Sequence, residues 1–176
     1  ETIAVMLKDA TGFVVEQAAA GTLQQIDRPK EETKRPLRDV AQSFAEKEIQ
    51  ALYEKEVVFG DANGLFHPHQ SITRGELAVM LARSLQLEHR PFANTFKDVH
   101  ASHTWAYGGI EALAREGIVK GFDNGTFAMN DPITRQEVAT FIIRALEYEK
   151  DQTFALVAKP KPFRDDASIG QFAQDA

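Results

Sequence analysis

Residues 121–137 read GFDNGTFAMNDPITRQE, and residues 60–76 read GDANGLFHPHQSITRGE. Both stretches place an Asn-Gly pair, a phenylalanine and an Ile-Thr-Arg-x-Glu run at the same spacing. The two copies lie 61 residues apart, and this offset aligns residues 45–85 with residues 106–146. A repeat at a fixed period indicates a fold built from supersecondary units that bury their apolar faces against one another.

The repeat extends in both directions. Upstream of the two whole copies, Asp39-Val40 matches Asp98-Val99, with two extra residues in the later copy. Residues 3–7, IAVML, repeat residues 77–81, LAVML, which belong to the second half of a unit. Residues 163–165, FRD, repeat residues 96–98, FKD, which open a unit. The chain therefore contains half a repeat, two whole repeats and the beginning of another.

Each whole repeat has the pattern of a helix, a turn and a second helix. Apolar residues three and four positions apart predict the first helix; they are Ala45, Ile49 and Leu52, and then Ala106, Ile110 and Leu113. The later helix should end near Gly117, because glycine is the usual residue after a helix C-terminus. The Asn-Gly pairs predict tight turns with positive φ.

The second helix of each repeat should begin at Thr73 or Thr134. Thr-Arg-Gly-Glu and Thr-Arg-Gln-Glu fit a capping box, in which Glu76 or Glu137 returns the threonine's hydrogen bond. Apolar faces follow, formed by Leu77, Met80, Leu81, Ser84 and Leu85 and by Val138, Phe141, Ile142, Ala145 and Leu146. We therefore predict a mostly α fold in which helix pairs of successive repeats pack around a shared axis.

The organisation of the chain follows from these units. Whole repeats occupy residues 37–92 and 93–149, and charged or proline-containing linkers occupy residues 27–36 and 150–162. The second half of a motif with an extra segment occupies residues 1–26, in which residues 12–26 form either a helix or a loop. Residues 163–176 are the first part of a further motif. The two incomplete ends should lie close together and complete a third unit.

Composition excludes several classes of function. The net charge is −6 and the pI about 5.4, which argues against a nucleic-acid binder, because such a protein needs a basic face. There are no cysteines, so disulfides and thiolate chemistry are excluded. No apolar run approaches the roughly 20 residues of a membrane span. No signal peptide opens the sequence, so export cannot be read from the first residues.

The quoted motifs resemble the S-layer homology (SLH) family. Residues 96–146 carry its pattern best, with Phe-Lys-Asp-Val, Trp-Ala, Asn-Gly-Thr-Phe and Ile-Thr-Arg-x-Glu in order. The resemblance implies a pseudo-threefold helical module that anchors a secreted protein to the bacterial cell wall or S-layer. The implied partner is a secondary cell-wall polysaccharide carrying pyruvylated N-acetylmannosamine, or another polymer linked to peptidoglycan. It implies no cofactor, metal, nucleic acid or catalytic residue.

The resemblance also implies that the grooves between adjacent motifs hold the sugar. The positions carried over to this chain are Thr73, Arg74 and Glu76; Thr134, Arg135 and Glu137; Asp39, Asp98 and Asp165; Trp105; and Gly60 and Gly121. Two departures from the family pattern stand out. Phe44 replaces a tryptophan and has lost the indole donor, and Gly75 replaces the usual alanine and weakens a helix start.

Several residue types allow two interpretations. Arg74 and Arg135 either clamp a ligand carboxylate through a fork of donors or make local salt bridges. The aspartates either bind sugar hydroxyls or cap the next helix. Trp105 either stacks on a pyranose ring or belongs to the core. Among the arginines we expect Arg135 to contribute most to ligand affinity and Arg74 second.

Two further motifs suggest metals but fit other interpretations better. Asp123-Asn124-Gly125 resembles part of a calcium loop, yet Thr134 stands where a calcium ligand would be needed, which favours a turn. His67 with His69 and His100 with His103 form close pairs that are absent from the other copy, which favours solvent-exposed histidines over a zinc site.

Three classes of function compete. An enzyme needs a nucleophile and base, or paired carboxylates, in one pocket, and no such constellation stands out in the sequence. A set of residues that recurs is typical of adhesion, because repetition adds avidity. A protein–protein docking module and the non-catalytic targeting part of a wall-glycan hydrolase remain the alternatives to direct anchoring of a surface protein.

Overall fold

The computed structural model describes residues 36–151, 164 and 166–174. Within them, four α-helices follow in order: α1 (Glu46–Glu54), α2 (Arg74–Ser84), α3 (Tyr107–Arg115) and α4 (Arg135–Lys150). Two short 3-10 turns, Asp166–Ser168 and Gln171–Ala173, come near the end. The predicted mostly helical fold is confirmed, with one helix–loop–helix unit in each whole repeat. The pseudo-threefold arrangement stays a prediction.

Helices α1 and α3 open the two repeats and bury the stripes that the spacing predicted. Ile49 and Leu52 are buried on α1, as Ile110 and Leu113 are on α3. All four side chains are at most 2% exposed and belong to one hydrophobic core shared by the two repeats. The repeats therefore stabilise each other through apolar burial, as a helix pair of this size requires.

The ends of α1 and α3 show how the copies differ locally. Gly117 follows α3 with φ +74°, which confirms the predicted helix stop. Glu56 occupies the same position after α1 and adopts φ +59°. The left-handed conformation costs little for glycine but disfavours residues with a Cβ. The earlier repeat therefore keeps the backbone shape of the later one at a conformational cost.

Helices α2 and α4 begin with the predicted capping boxes. The Thr73 hydroxyl accepts from the Glu76 backbone N–H at 3.2 Å, and Glu76 Oε2 accepts from the Thr73 N–H at 2.8 Å. Thr134 and Glu137 repeat the pair at 3.4 Å and 2.9 Å. Each box satisfies two N–H groups that a helix start would otherwise leave unbonded.

Helix α2 is buried on more faces than the sequence predicted. Its buried residues are Arg74, Gly75, Leu77, Ala78, Val79, Leu81, Ala82 and Ser84, whereas Met80 and Leu85 are only partly buried. It packs against both α3 and α4. Helix α4 follows the predicted stripe more closely, because Val138, Phe141, Ile142 and Ala145 are buried. The central position of α2 explains the difference, since it is enclosed by the second repeat.

The start of α2 is inserted into the loop of the second repeat. The Arg74 and Gly75 N–H groups donate to the carbonyls of Asp131 and Met129 at 3.0 Å and 2.9 Å. Next to them Thr73 and Pro132 form an isolated antiparallel bridge. The second repeat therefore supplies acceptors for N–H groups that have no partner inside the helix.

The closing part-repeat packs on the start of α4. The Gly170 N–H donates to Gln136 Oε1 at 2.8 Å, and Ala173 is buried beside α4. The predicted proximity of Ile3 to Phe172 stays a prediction, because Ile3 lies outside the described residues, as do most of the two linkers. In the part of the chain that the structure describes, no helix is long and apolar enough to span a membrane.

Candidate functional site

A groove of about 830 Å³ is lined by residues of both repeats. It brings together four of the expected ligand-binding residues: Gly60, Glu76, Trp105 and Arg135. Phe44, the counterpart of Trp105 in the earlier repeat, also lines it. The other expected residues lie elsewhere, and Asp165 lies outside the described residues. The groove thus combines aromatic side chains with both signs of charge.

Arg135 is the exposed arginine at this groove. It is the first residue of α4 and follows the Thr134 cap. Within the described residues, the N–H groups of Arg135 and Gln136 donate to no acceptor. A guanidinium next to unbonded N–H groups at the positive end of a helix favours an anionic ligand.

The two aromatic side chains of the groove are both accessible. Trp105 is 46% exposed and Phe44 is 58% exposed. The Trp105 ring lies over the start of α2: a Cβ added to Gly75 would be 3.3 Å from Trp105 Cη2 and 2.9 Å from the Met129 oxygen. Glycine at this position, unusual by the family pattern, therefore lets the second repeat approach the helix. Trp105 packs on the protein with part of its ring and leaves the rest to solvent.

Arg74 has the opposite environment, although it stands at the same motif position as Arg135. Its side chain is 5% exposed, and its Nη1 donates to Glu137 Oε1 at 2.6 Å. Its Nε donates to the Phe127 carbonyl at 2.8 Å, and its Nη2 to the Lys120 carbonyl at 3.5 Å. The guanidinium of Arg74 is therefore held by acceptors of the second repeat.

Aromatic rings complete the surroundings of Arg74. The guanidinium carbon lies 4.8 Å, 5.0 Å and 5.2 Å from the ring centroids of Phe122, Phe127 and Phe141. We use the name Arg74 socket for the groups around this side chain: the three rings, the Phe127 and Lys120 carbonyls and the Glu137 carboxylate. Burial lowers the pKa of Arg74, while the charge and hydrogen bond of Glu137 oppose the shift. Arg74 stays charged at neutral pH, because a guanidinium is too basic to lose its proton in a protein.

Asp39 and Asp98 hold the loop of their own repeat. The two carboxylate oxygens of Asp39 accept from the Phe66 and His67 N–H groups at 2.8 Å and 2.7 Å. Asp98 accepts from Phe127 and Ala128 at 2.7 Å and 2.6 Å. Neither aspartate caps the following helix, whose N-cap residues are alanines without a side-chain cap. The capping interpretation is therefore wrong, because the loop amides take both oxygens.

The electrostatics of Asp39 reflect this loop contact. Burial raises the pKa of Asp39, but backbone hydrogen bonds, led by those from Phe66 and His67, together with the charge of His67 outweigh it, so the pKa lies below its ordinary value. The ionised form is preferred because it accepts both bonds.

Gly60 and Gly121 allow the chain to pass close to the opening segment of each repeat. A Cβ on Gly121 would lie 2.5 Å from the Thr126 oxygen and 2.6 Å from Phe96 Cε1. On Gly60 it would lie 2.9 Å from Leu37 Cδ2. Packing against a backbone oxygen therefore requires glycine at position 121, whereas Gly60 mainly meets the flexible end of Leu37. Of the two glycines, only Gly60 borders the groove.

The segment that resembles a calcium loop is a turn. The Gly125 N–H donates to the Phe122 carbonyl at 2.8 Å, and the Phe122 N–H donates to the Thr126 carbonyl at 2.8 Å. Gly125 has φ +82° and its counterpart Gly64 φ +76°. The asparagines before them do not have positive φ, so only the glycine of each pair takes the predicted conformation.

The sequence predicted that the four paired histidines are exposed to solvent, but only two of them are. His69 and His100 are exposed, whereas His67 and His103 are half-buried. His67 Nε2 lies 3.3 Å from Asp61 Oδ2, and His103 Nδ1 accepts from the His100 N–H at 3.0 Å. Across the described residues no group of three candidate metal ligands forms.

Sequence reasoning missed part of the groove. Phe59, Asp61 and Arg83 line it, and the Arg83 guanidinium lies 4.8 Å from the centroid of the Phe59 ring. Arg83 recurs 61 residues later as Arg144, whereas Phe59 and Asp61 correspond to Lys120 and Phe122. A search for residues shared by the two copies therefore does not single out Phe59 and Asp61.

Comparison with known families now identifies the module. The model of the S-layer homology domain matches residues 36–78 and 95–139. These two segments coincide with the two described repeats and together make up half of the chain. The chain belongs to the SLH domain family. Membership supports anchoring of a surface protein at the cell wall as its broad role.

Known relatives fall into two groups. The chain is 40% identical over 142 residues to an endoglucanase of Bacillus sp. (strain KSM-635), covering 80% of the chain and 15% of that protein. It is 37% identical over 123 residues to the surface-layer 125 kDa protein of Lysinibacillus sphaericus, covering 68% of the chain and 10% of that protein. A surface layer protein of Brevibacillus choshinensis is 32% identical over 149 residues, covering 82% of the chain and 13% of its own length. The SLH region thus forms a small share of each of these proteins.

Proposed function

We propose that this module anchors its parent protein non-covalently to the bacterial cell wall, outside the cell, by binding a secondary cell-wall polysaccharide. The ligand is an anionic sugar of the pyruvylated N-acetylmannosamine type, and the module itself carries out no catalysis. The observation that carries the proposal is the placement of Arg135 and Trp105 in one groove. A guanidinium binds the carboxylate of a pyruvate ketal, and an indole face packs on a sugar ring.

The role of each groove residue follows from its accessibility. Arg135 meets the carboxylate, helped by the N–H groups at the start of α4. Trp105 and Phe44 present apolar faces to the sugar rings. Arg74 is engaged by the second repeat, so we propose that it supports binding by fixing the helix start beside Trp105. Asp39 and Asp98 act in the same indirect way through the loops.

The anchoring role suits two kinds of parent protein. The relatives include surface-layer proteins and a glycan-degrading enzyme, and in both kinds the matching region is a minor part. A module that holds its parent at the wall would serve a lattice protein and an exported glycanase equally. The proposed sugar binding does not depend on which of them this chain belongs to.

A sedimentation assay with purified cell-wall sacculi tests the function. The chain should pellet with intact sacculi and stay in solution once the non-peptidoglycan polymer has been removed. Unchanged pelleting after that removal would contradict binding to the secondary polymer. If a protein extracted from the envelope competes while the free polysaccharide does not, the module is a protein-docking unit and the proposal fails.

Calorimetry with a purified wall-sugar fragment tests the residue assignment. Loss of one arginine–carboxylate contact of about 1.5–3 kcal/mol should make Arg135→Ala bind roughly ten- to a hundredfold more weakly. Arg38→Ala is a matched control, because Arg38 is exposed but does not line the groove. Affinity should also fall with added salt. Equal affinity of Arg135→Ala and the parent chain would show that the sugar is held elsewhere.

A further inference from the structure

Two histidines of the first repeat, His67 and His69, line the groove. Their counterparts 61 residues later are Ala128 and Asn130, in the loop that forms part of the Arg74 socket. The second loop therefore has no titratable side chain at either position. The two imidazoles distinguish the loop that faces the groove from its copy.

The backbone that carries the histidines is constrained. The Gln70 N–H donates to the His67 carbonyl at 2.9 Å, which closes a turn with Pro68 at its second position. Proline fixes φ at this position of a turn. The His67 N–H donates to Asp39 Oδ2 at 2.7 Å. Both ends of the His-Pro-His segment are thus held, and the two imidazoles are presented to the groove from a fixed support.

His67 lies next to a carboxylate whose partners all belong to the first repeat. Its Nε2 is 3.3 Å from Asp61 Oδ2, and the two side chains are each 38% exposed. Asp61 Oδ1 accepts from the Asn63 and Leu65 N–H groups at 2.8 Å and 2.9 Å. These bonds, led by the one from Leu65, keep the pKa of Asp61 below its ordinary value. Asp61 therefore stays ionised in mildly acidic solution.

A metal ion does not account for the two histidines. Across the described residues, no group of three candidate ligands forms around them or elsewhere, and a zinc site needs at least three protein ligands. What remains for an accessible imidazole in a binding groove is hydrogen bonding and the gain of a proton. Histidine is the side chain that ordinarily gains its charge between about pH 8 and pH 5.

The other charges that line the groove balance one another. They are two carboxylates and two guanidiniums, those of Asp61, Glu76, Arg83 and Arg135. Behind the turn, Asp39 also interacts with the charge of His67, but it does not line the groove. With both imidazoles neutral, the groove lining of the described residues carries no net charge. With both protonated, it is positive.

We propose that His67 and His69 bind the anionic wall sugar in their protonated form, so that the module holds its ligand more tightly in mildly acidic surroundings. The inference rests on the proposed function, and it adds two binding side chains and regulation by pH to the carboxylate site at Arg135. A protonated imidazole donates from both ring nitrogens and attracts a carboxylate. Protonated His67 also neutralises Asp61, which removes a repulsion from the anion.

The size of the effect follows from the exposure of these groups. An accessible pair of opposite charges changes affinity by up to about fivefold. The two imidazoles should therefore tighten binding about five- to tenfold between about pH 8 and about pH 5.5. Carboxylates with ordinary pKa values near 4 stay ionised over this range, so the change is assigned to the histidines. Added salt should reduce the gain.

Calorimetry tests the proposal, with a fragment of the secondary polymer released from purified sacculi as the probe. Titrations at the two pH values measure the gain in affinity. Titrations in two buffers of different ionisation enthalpy count the protons taken up, and we expect about half a proton per bound fragment at about pH 6.5. Equal affinity at both pH values without proton uptake would overturn this inference and leave the proposed function intact. Absence of binding at either pH would overturn both.

The second repeat supplies matched substitutions. His67→Ala and His69→Asn introduce the residues of the second loop, where Ala128 has φ +57° as His67 has φ +58°. The double variant should reduce the gain at acidic pH to less than about twofold. His69→Asn alone leaves the contact between His67 and Asp61 in place and should retain a gain of about threefold.

His100→Ala is the control, because His100 is exposed but lies outside the groove. It should keep the full gain at acidic pH, and its circular dichroism should match that of the parent chain. A folded double variant that also keeps the full gain would show that other groups take up the proton, and the assignment to His67 and His69 would be wrong.

Discussion

Arg74 and Arg135 follow the same threonine cap at the same motif position, yet one is buried and the other is exposed. Arg74 is buried because the loop of the second repeat closes over it. Arg135 is exposed at the groove. The role of the motif arginine is therefore set by the contacts that a neighbouring repeat makes with it, and not by the motif that contains it.

The loops of the two repeats support the same conclusion. Asp39 and Asp98 make equivalent pairs of bonds, so each loop is built locally in its own repeat. The second loop holds an arginine of the neighbouring repeat, whereas the first loop opens onto the groove. Local structure is therefore repeated faithfully, and the differences arise at the contacts between repeats.

Removal of Arg74 should give the largest effect. Arg74→Ala leaves the partly buried Glu137 carboxylate without its partner and empties a buried guanidinium site, so we expect the free energy of unfolding to fall by about 3–5 kcal/mol. Arg135→Ala should lower it by less than about 0.5 kcal/mol, because an exposed arginine contributes little. Urea denaturation of both variants measures the difference.

The conservative variant Arg74→Lys serves as the control. It keeps the charge but loses the fork of donors to Glu137 and the Phe127 carbonyl, so its stability should lie between the parent and Arg74→Ala. Equal losses for Arg74→Ala and Arg135→Ala would mean that the buried ion pair does not couple the repeats.

The loop glycines should give the next largest effect. Gly121→Ala would place a methyl group 2.5 Å from a backbone oxygen and against Phe96, so we expect a loss of about 2–3 kcal/mol. Gly60→Ala meets mainly the flexible end of Leu37 and should cost about 1 kcal/mol. Thermal denaturation followed by circular dichroism gives the order. The reverse order would show that the first loop is the more tightly packed.

Asp39 should make stability depend on pH. Its pKa is lowered in the folded state, so its contribution is present above the unfolded pKa of about 3.9 and is lost as the pH falls through the lower folded pKa. Asp39→Asn should lower the free energy of unfolding by about 1–2 kcal/mol at neutral pH. The gap between the variant and the parent should narrow as the pH falls below about 3.9 and through the lower folded pKa, because protonation of Asp39 then removes its contribution.

Urea midpoints measured across this pH range check the prediction. His67→Ala is a useful control, because it keeps the backbone N–H that Asp39 accepts from while removing the nearby imidazole. A gap between Asp39→Asn and the parent that stays constant with pH would contradict the loop bonds as the source of the shift.

The smallest expected effect on stability comes from the residue with positive φ that follows the first helix of each repeat. Gly117 has φ +74° with nothing near its would-be Cβ, so Gly117→Ala should cost about 1 kcal/mol from backbone conformation alone. Glu56 holds the same conformation with a side chain, and Glu56→Gly should raise stability by up to about 1 kcal/mol. Differential scanning calorimetry resolves both shifts. A stabilised Gly117→Ala would show that left-handed strain is absent there.

The sequence predicted what depends on neighbours along the chain. The repeat offset follows directly from matching residue types. The capping boxes at Thr73 and Thr134 and the helix stop at Gly117 depend on contacts within a few residues. Such contacts form from residue types at fixed spacing, so the pattern was sufficient to place them. The apolar stripes of α1 and α3 were equally predictable, because side chains recur on one face of a helix at a fixed period.

The tertiary structure decided what depends on the neighbouring repeat. From the sequence, Arg74 and Arg135 were assigned the same ligand-binding role, with Arg135 ranked first, and Asp39 and Asp98 were left between sugar binding and helix capping. Burial of Arg74 depends on contacts with residues 46 to 63 positions away, and the aspartates bind amides 27 to 30 positions away. A guanidinium is paired when packing brings distant acceptors close to it. The residues next to it in the sequence do not determine which acceptors these are.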